Sequence, residues 1–158
     1  MCVSNQVFEH VSEIDCMCSE LKRVLKPGGE MFLIFPVKEI IIEPHLKLLL
    51  IHRLPPDSYL VKLFLKLAFI LRLGSASKTE KNEKDWIENR VSYLKNNVNY
   101  TKLEDFMNVL RQYGFVVSNI TDTHYAERFH LSSLLKRIKH LIPFKRVASV
   151  ALLAQLPK

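Results

Sequence analysis

The segment Glu30–Val37, which reads EMFLIFPV, constrains the fold of this chain more than any other segment does. It follows Pro27-Gly28-Gly29, a combination that ends the preceding element in a tight turn. Nearly every residue of the segment is apolar, and a strand with this pattern has both of its faces covered by other elements. We therefore expect a buried strand of an α/β sheet at this position.

The residues before this strand predict a short strand and a helix. Met1–Ser4 is a brief apolar stretch, and Ser12 with Asp15 has the spacing of a capping box at a helix start. Strand, helix, tight turn and strand together form half of a doubly wound sheet. The apolar residues of the helix recur at spacings of three and four, which places them on one face: Ile14, Met17, Cys18, Leu21, Val24 and Leu25.

A similar alternation of helices and strands is predicted near the end of the chain. Thr101 and Glu104 form a second capping box, ahead of a helix that ends at Gly114. The elements predicted after this helix are a strand, a basic helix and a last strand, over residues 115–120, 131–142 and 147–156.

The residues between these two parts predict a helical and loop insert, over 38–100, within one domain that spans 1–158. Two apolar helical stretches are expected on either side of Pro55-Pro56, and residues 74–85 are polar and predict a mobile loop. Asp57 or Ser58 is expected to cap the second helix, and Gly74 to end it.

The second of these helices is apolar nearly all round, and Lys62, Lys66 and Arg72 form a thin charged stripe on it. A helix of this composition is buried, lies on a membrane surface or docks on a partner. The net charge of the chain is +7, and a second basic stretch covers residues 128–146. Such patches attract nucleic acid, anionic lipid or phosphorylated substrates, or are solvated helix faces. Nucleic acid is not expected, since the basic stretch lacks interleaved aromatic residues.

The cysteines and the apolar runs indicate a cytoplasmic protein, with a peripheral membrane contact as a further option. Cys2, Cys16 and Cys18 are an odd number without a repeating spacing, which argues against a disulfide scaffold. No signal peptide is visible, and no apolar run reaches the roughly 18 residues of a membrane span. Zinc is not expected, because no Cys-His pair complements Cys16 and Cys18.

Several segments in combination resemble the second half of a class I S-adenosylmethionine-dependent methyltransferase. The first are QVFEHV, ELKRVLKPGGE and FLIFP, between residues 6 and 36. YTKLEDFMNVLRQYGFVV is similar to the last helix and sixth strand of that family, and RVASVALLAQ to its seventh strand. IEPHLKLLLIHRLPP resembles a lid insert of bacterial members that are associated with glycan or lipid modification.

The resemblance implies a partial doubly wound, Rossmann-like α/β sheet, with the strands that the family numbers four to seven and a helical lid insert. Its glycine-rich loop and the acidic residue that binds the ribose have no counterpart here. Gly28-Gly29 follows a helix and precedes a strand, the reverse of a nucleotide-binding loop. We therefore expect a methyltransferase fragment that lacks the N-terminal half of its domain and is inactive by itself.

The resemblance also implies roles for individual residues, with S-adenosyl-L-methionine as the cofactor. Ser4 and Asn5, at the end of the first strand, are expected to face the methionine part of the cofactor. Glu9 and His10 are the expected catalytic residues, with His10 as a general base. No metal is expected, because Gln6 replaces the first Glu of a Glu, Glu, His set that holds one in similar enzymes.

Glu43, His45 and His52 of the insert are the candidate substrate-binding residues, because the insert is expected to cover the substrate. The expected acceptor is a small molecule, a glycan or a lipid-type compound. For all these residues a purely structural role is the competing interpretation. For the chain as a whole, the competing interpretation is a noncatalytic remnant that serves as a basic, membrane-binding or partner-binding module.

Overall fold

The computed structural model describes residues 1–74, 82–128 and 149–157. The chain divides into two compact units, which we call unit 1 (Met1–Ile40 with Asn99–Lys158) and unit 2 (Ile41–Val98). Unit 1 contains strands β1 (Cys2–Asn5), β2 (Glu30–Phe35), β5 (Val116–Asn119) and β6 (Val150–Gln155), with helices α1 (Ile14–Val24), α4 (Leu103–Gln112) and α5 (Thr121–Arg128). Unit 2 contains strands β3 (Ile42–Glu43) and β4 (Leu48–Leu49), with helices α2 (Tyr59–Ile70) and α3 (Glu83–Asn96).

Unit 1 is built on a four-stranded sheet in the order β1-β2-β6-β5. β1 and β2 are parallel, whereas β6 runs antiparallel to both of its neighbours. The last strand of the chain thus lies between β2 and β5. The sheet confirms the predicted α/β class, and β1, α1 and β2 form the predicted strand-helix-strand unit.

Helices α1 and α4 cover one face of this sheet. Met31, Leu33 and Phe35 of β2 point to this face and are at most 2% exposed. Their partners across the β2–β6 ladder are Ala154, Leu152 and Val150, which are also buried. The helices add further side chains to the same core, which include Cys18, Phe106, Met107 and Leu110.

The other face of β2 is only half covered. Phe32 and Ile34 are partly exposed, and the ring of Phe32 lies 5.4 Å from the ring of His124 in α5. Helix α5 was not predicted from the sequence. Its start is held by Thr121, whose hydroxyl donates to Asn119 Oδ1 at 2.6 Å and accepts from the backbone N–H of Ala151 at 3.0 Å.

Neither predicted capping box forms. Helix α1 begins after Glu13 and α4 after Lys102, and neither helix has a side-chain cap from its N-cap residue. The backbone N–H of Leu103 instead donates to the carboxylate of Glu39, at 3.2 Å to each oxygen. A carboxylate that is 64 positions away in sequence thus replaces the local cap at α4, and it also complements the positive end of the helix dipole.

Unit 2 packs α2 against α3 over a core of its own. Trp86 of α3 is 1% exposed, and its ring lies 5.5 Å from that of Phe69. Ser58 caps α2 as predicted, since its Oγ accepts from the backbone N–H of Val61. The remaining buried residues of this core are Leu46, Leu48, Ile51, Val61, Leu65, Ala68 and Leu94.

Two predictions for this part of the chain were wrong. The helix expected between His45 and Pro55 does not form, because this stretch folds into strand β4 of the β3–β4 hairpin and a short 3-10 helix, Ile51–Arg53. Lys47 and Leu50 take the left-handed backbone conformation there, which interrupts any helix. The polar residues 82–85 are not a loop, because Asn82 caps α3 through its Oδ1. The rest of the predicted loop, 75–81, and the predicted basic helix, 131–142, lie outside the described residues.

Gly74 is required by both its backbone and its surroundings. Its φ is +72°, and an added Cβ would lie 2.5 Å from the carbonyl oxygen of Leu46 and 2.7 Å from Leu48 Cδ2. We expect Gly74→Ala to lower the free energy of unfolding by about 2–4 kcal/mol, from backbone strain and overlap together. Gly114→Ala is the matched control, because Gly114 has φ +88° but only Lys22 Nζ nearby, at 3.9 Å. Equal losses for the two variants in urea unfolding would contradict the predicted overlap.

The buried thiol of Cys18 is expected to be much less reactive than the exposed thiol of Cys16. Burial raises the pKa of Cys18 from 9.0 to about 11, and the charge of Asp15 adds to the effect. The thiolate fraction at pH 8 is then about a hundredfold lower than that of an ordinary thiol. The stabilisation from the protonated thiol is complete below pH 9 and is lost as the pH rises through about 11. Mass spectrometry after brief iodoacetamide treatment at pH 8 should find Cys16 alkylated and Cys18 intact.

Candidate functional site

The carboxyl ends of β1 and β2 lie side by side in unit 1, since these strands are parallel and Asn5 is in register with Ile34. Open α/β sheets bind their ligands beyond the carboxyl ends of parallel strands. Ser4 and Asn5 therefore stand where a ligand is expected. Successive side chains of a strand point to opposite faces, so Ser4 is half-buried on the side of Leu33 and Asn5 is exposed.

Gln6 turns the chain sharply after β1. Its φ is +55°, a left-handed conformation that a side chain other than glycine rarely adopts. Its backbone N–H donates to the carbonyl oxygen of Ile34 at 2.7 Å, and its Nε2 donates to Ser149 Oγ at 2.7 Å. The second of these bonds reaches Ser149, the residue directly before β6. Together the two bonds hold the strained turn in place. The sequence pattern indicated for Gln6 only that it replaces a metal ligand of similar enzymes.

A short 3-10 helix, Phe8–His10, follows this turn and carries the two predicted catalytic residues. Phe8 anchors it in the core, with its ring 5.6 Å from that of Phe35 and 5.0 Å from that of Phe106. Glu9 is 1% exposed, whereas the His10 side chain is 42% exposed. Glu9 Oε1 lies 3.8 Å from His10 Nε2, so the two neighbouring side chains approach each other.

Asn99 ties the far end of this segment to unit 1. Its backbone N–H donates to the carbonyl oxygen of Glu9, and its Nδ2 donates to that of Val11 at 3.1 Å. The segment that carries Glu9 and His10 is thus held by Gln6 before it and by Asn99 after it. Asn99 has no sequence signal for this role, because its partners lie about 90 positions earlier in the chain.

The other three candidate residues lie in unit 2, where Glu43 organises the β3–β4 hairpin. Its carboxylate is fully buried, accepts a short hydrogen bond from the backbone N–H of Leu46, and lies 3.0 Å from His45 Nδ1. The carbonyl oxygen of Glu43 accepts from Lys47 N–H at 2.8 Å. The ring of His45 lies 5.6 Å from that of Tyr93, and its side chain is 34% exposed.

His52 lies apart from this pair in the chain, on the 3-10 helix Ile51–Arg53, and is half-buried. Unit 2 also contains a cavity of about 620 Å³ between α2 and α3, which no sequence pattern predicted. Two ion pairs lie in the lining of this cavity. They join Lys95 Nζ to Asp57 Oδ2 at 2.8 Å and Lys66 Nζ to Glu83 Oε1 at 3.6 Å. The hydrogen bond from Lys95 lowers the pKa of Asp57.

The buried contacts of Glu43 predict a structural effect when its carboxylate is removed. Glu43→Ala leaves the buried N–H of Leu46 without its acceptor, which costs about 1–3 kcal/mol. We expect a lower midpoint of thermal unfolding for this variant, measured by circular dichroism. Glu88→Ala is the control, because Glu88 is 66% exposed in unit 2. An unchanged midpoint for Glu43→Ala would show that the carboxylate does not support the hairpin.

Within the described parts of the chain, no helix has the length and apolar character that crossing a membrane requires. Residues 1–33, which cover β1, α1 and the first part of β2, match the family model of the methyltransferase domain. This match supports the class I methyltransferase-like domain that the sequence resembles.

A similar solved structure is Haemonchus contortus phospholethanolamine N-methyltransferase 2, in complex with phosphomonomethylethanolamine and S-adenosylhomocysteine. The sequence identity is 14% and the TM-score is 0.42, over 99% of this chain and 33% of that one. The chain therefore spans about a third of the length of that enzyme. No curated protein matches this sequence.

Proposed function

We propose that this chain forms part of an S-adenosyl-L-methionine-dependent methyltransferase and that its sheet corresponds to the family's strands four to seven. The match of residues 1–33 to the methyltransferase domain is the observation that carries this proposal. The order of the strands agrees with it, because the two parallel strands are adjacent and the last strand is antiparallel to both of its neighbours. Unit 2 would then be the lid insert, predicted over 38–100.

The residues at the end of β1 fit the methionine part of the cofactor. Asn5 is exposed at the carboxyl end of a parallel strand, and its amide offers donors and an acceptor for a carboxylate and an ammonium group. Ser4 is half-buried and would contribute through its backbone. When bound, the cofactor supplies an activated methyl group on a sulfonium, so that the protein acts mainly by alignment.

His10 is the proposed general base for the acceptor, and Glu9 positions it. The His10 ring is partly exposed beside a buried carboxylate, an arrangement that lets the imidazole accept a proton from an entering group. The rigid attachment of this segment at Gln6 and Asn99 supports the role, since alignment requires a fixed geometry.

The proposed acceptor is a small molecule, a glycan or a lipid-type compound, and the proposed substrate-binding residues Glu43, His45 and His52 lie in unit 2. His45 supports this role, because it is partly exposed beside Tyr93 and its orientation is set by Glu43. His52 is half-buried and is the weaker candidate of the two. The second candidate function is a noncatalytic module that binds a membrane or a partner, and the exposed apolar side chains of α2 favour it.

Calorimetric titration of S-adenosyl-L-methionine tests the first proposal, on this chain and on the same chain extended upstream in its gene. We expect saturable, salt-tolerant binding by the extended chain, which Asn5→Ala should weaken about tenfold, as for the loss of one or two hydrogen bonds. Gln112→Ala, an exposed amide at the end of α4, should bind like the unchanged protein. If neither form binds the cofactor, the proposed activity is wrong and the noncatalytic module is favoured.

A further inference from the structure

Helix α2 has apolar side chains on two opposite faces. One face packs into the core of unit 2 through Val61, Leu65 and Ala68, which are at most 2% exposed. At about 100° per residue, the exposed apolar residues occupy an arc of about 140° on the opposite side. We call this set the outer face of α2: Tyr59, Leu60, Leu63, Phe64, Leu67 and Ile70.

The exposed apolar side chains of the outer face form one continuous surface and are not isolated surface residues. Leu60, Leu67 and Ile70 are 61%, 50% and 59% exposed, and Leu71 and Leu73 continue the apolar surface beyond the helix end. Contiguous apolar patches of this kind mark sites of contact with another molecule. None of these side chains carries a polar atom apart from the hydroxyl of Tyr59, which lies in the first turn of the helix.

Cationic residues border the outer face. Lys62 and Lys66 lie along its border on the α3 side, Arg72 follows the helix, and no acidic residue occurs from 58 to 74. Acidic residues also lie at the cavity between α2 and α3, among them Glu83, whose carboxylate pairs with Lys66 Nζ at 3.6 Å. Another is Asp57, whose pKa is lowered by Lys95 and, to a smaller extent, by Lys62. Unit 2 as a whole has ten Lys and Arg against six Asp and Glu, a net charge of +4.

We propose that the outer face of α2 docks on the surface of an anionic membrane, with the helix axis in the membrane plane. The leucine, isoleucine and phenylalanine side chains would enter the boundary between headgroups and acyl chains. Lys62 and Lys66 would reach the lipid phosphates, because lysine places its apolar stem along the surface and its ammonium group at the phosphates. The 12 residues of α2 span about 18 Å, too short to cross a bilayer but long enough to lie on it.

The composition of the outer face favours lipid over a protein partner. Specific protein interfaces rely on Trp, Tyr and Arg anchors with polar groups that fix orientation, and leucine is under-represented among their hot spots. The outer face consists mainly of aliphatic side chains, and its cations lie at one border. That arrangement complements an apolar layer beneath anionic headgroups. The inference does not rest on methyl transfer and holds for an enzyme or a noncatalytic module.

Sedimentation with vesicles tests this proposal on the full chain. We expect binding to phosphatidylcholine vesicles that contain about one third phosphatidylserine, and at least about tenfold weaker binding to phosphatidylcholine alone. Rising salt should weaken the binding, because it screens the lysine charges. Absence of binding to the anionic vesicles, or equal binding to both compositions, would overturn the proposal.

Two pairs of variants locate the contact. Leu67→Glu should weaken vesicle binding at least about tenfold, whereas Val116→Glu, at a 61% exposed position of β5, should leave it unchanged. Lys62→Glu should weaken binding about fivefold or more, and Lys26→Glu, with the same change of charge in unit 1, should have a smaller effect. Equal effects within either pair would contradict a contact through α2.

Three further measurements separate this proposal from other outcomes. Circular dichroism should show unchanged helix content in Leu67→Glu, because the substituted side chain is half exposed. Sedimentation velocity should show that the unchanged chain and Leu67→Glu are both monomers. If the unchanged chain is instead an oligomer that Leu67→Glu dissociates, and it does not bind vesicles, the outer face is a subunit interface and the proposal is wrong. Cofactor titration of Leu67→Glu should equal that of the unchanged chain, which keeps the outcome distinct from the test of methyl transfer.

Discussion

The pairing of β2 with β1 on one side and with β6 on the other is the constraint on which unit 1 depends. Every residue of β2 is in register with a residue of β6, and the four residues from Met31 to Ile34 are also in register with β1. A buried strand must satisfy its backbone donors and acceptors in this way, because unpaired polar groups in the core are costly. The parallel pairing with β1 also brings two strand ends to one edge of the sheet, where the candidate site begins.

The candidate site depends on how the chain leaves this edge. Gln6 takes a left-handed conformation directly after β1, and the 3-10 helix that carries Glu9 and His10 starts two residues later. Phe8 holds this helix by its ring contacts, so the histidine is presented beside the strand end at a defined position. A methyltransferase needs this kind of fixed geometry, since its cofactor is already activated and the protein contributes alignment.

In unit 2, the buried carboxylate of Glu43 has a structural role. Glu43 directs its carboxylate toward groups of its own hairpin, the N–H of Leu46 and the ring of His45. Its burial therefore has a structural cause, whereas the side chain of His45 is partly exposed. The apolar outer face of α2 has no comparable role inside unit 2, because Val61, Leu65 and Ala68 pack into the core of the unit from the opposite side of the helix.

The sequence by itself determined the elements whose signals are local: the apolar strand after Pro27-Gly28-Gly29, the apolar face of α1, the Ser58 cap and the position of the last strand. Only the tertiary structure decided what depends on distant residues. Thr101 has the spacing of a capping box, yet α4 is capped by Glu39. The residues between His45 and Pro55 were predicted to form a helix, yet the buried carboxylate of Glu43 and the left-handed residues Lys47 and Leu50 give a hairpin instead. A local pattern states which hydrogen bonds a segment is able to form, whereas the choice among them depends on which partners the folded chain brings within reach.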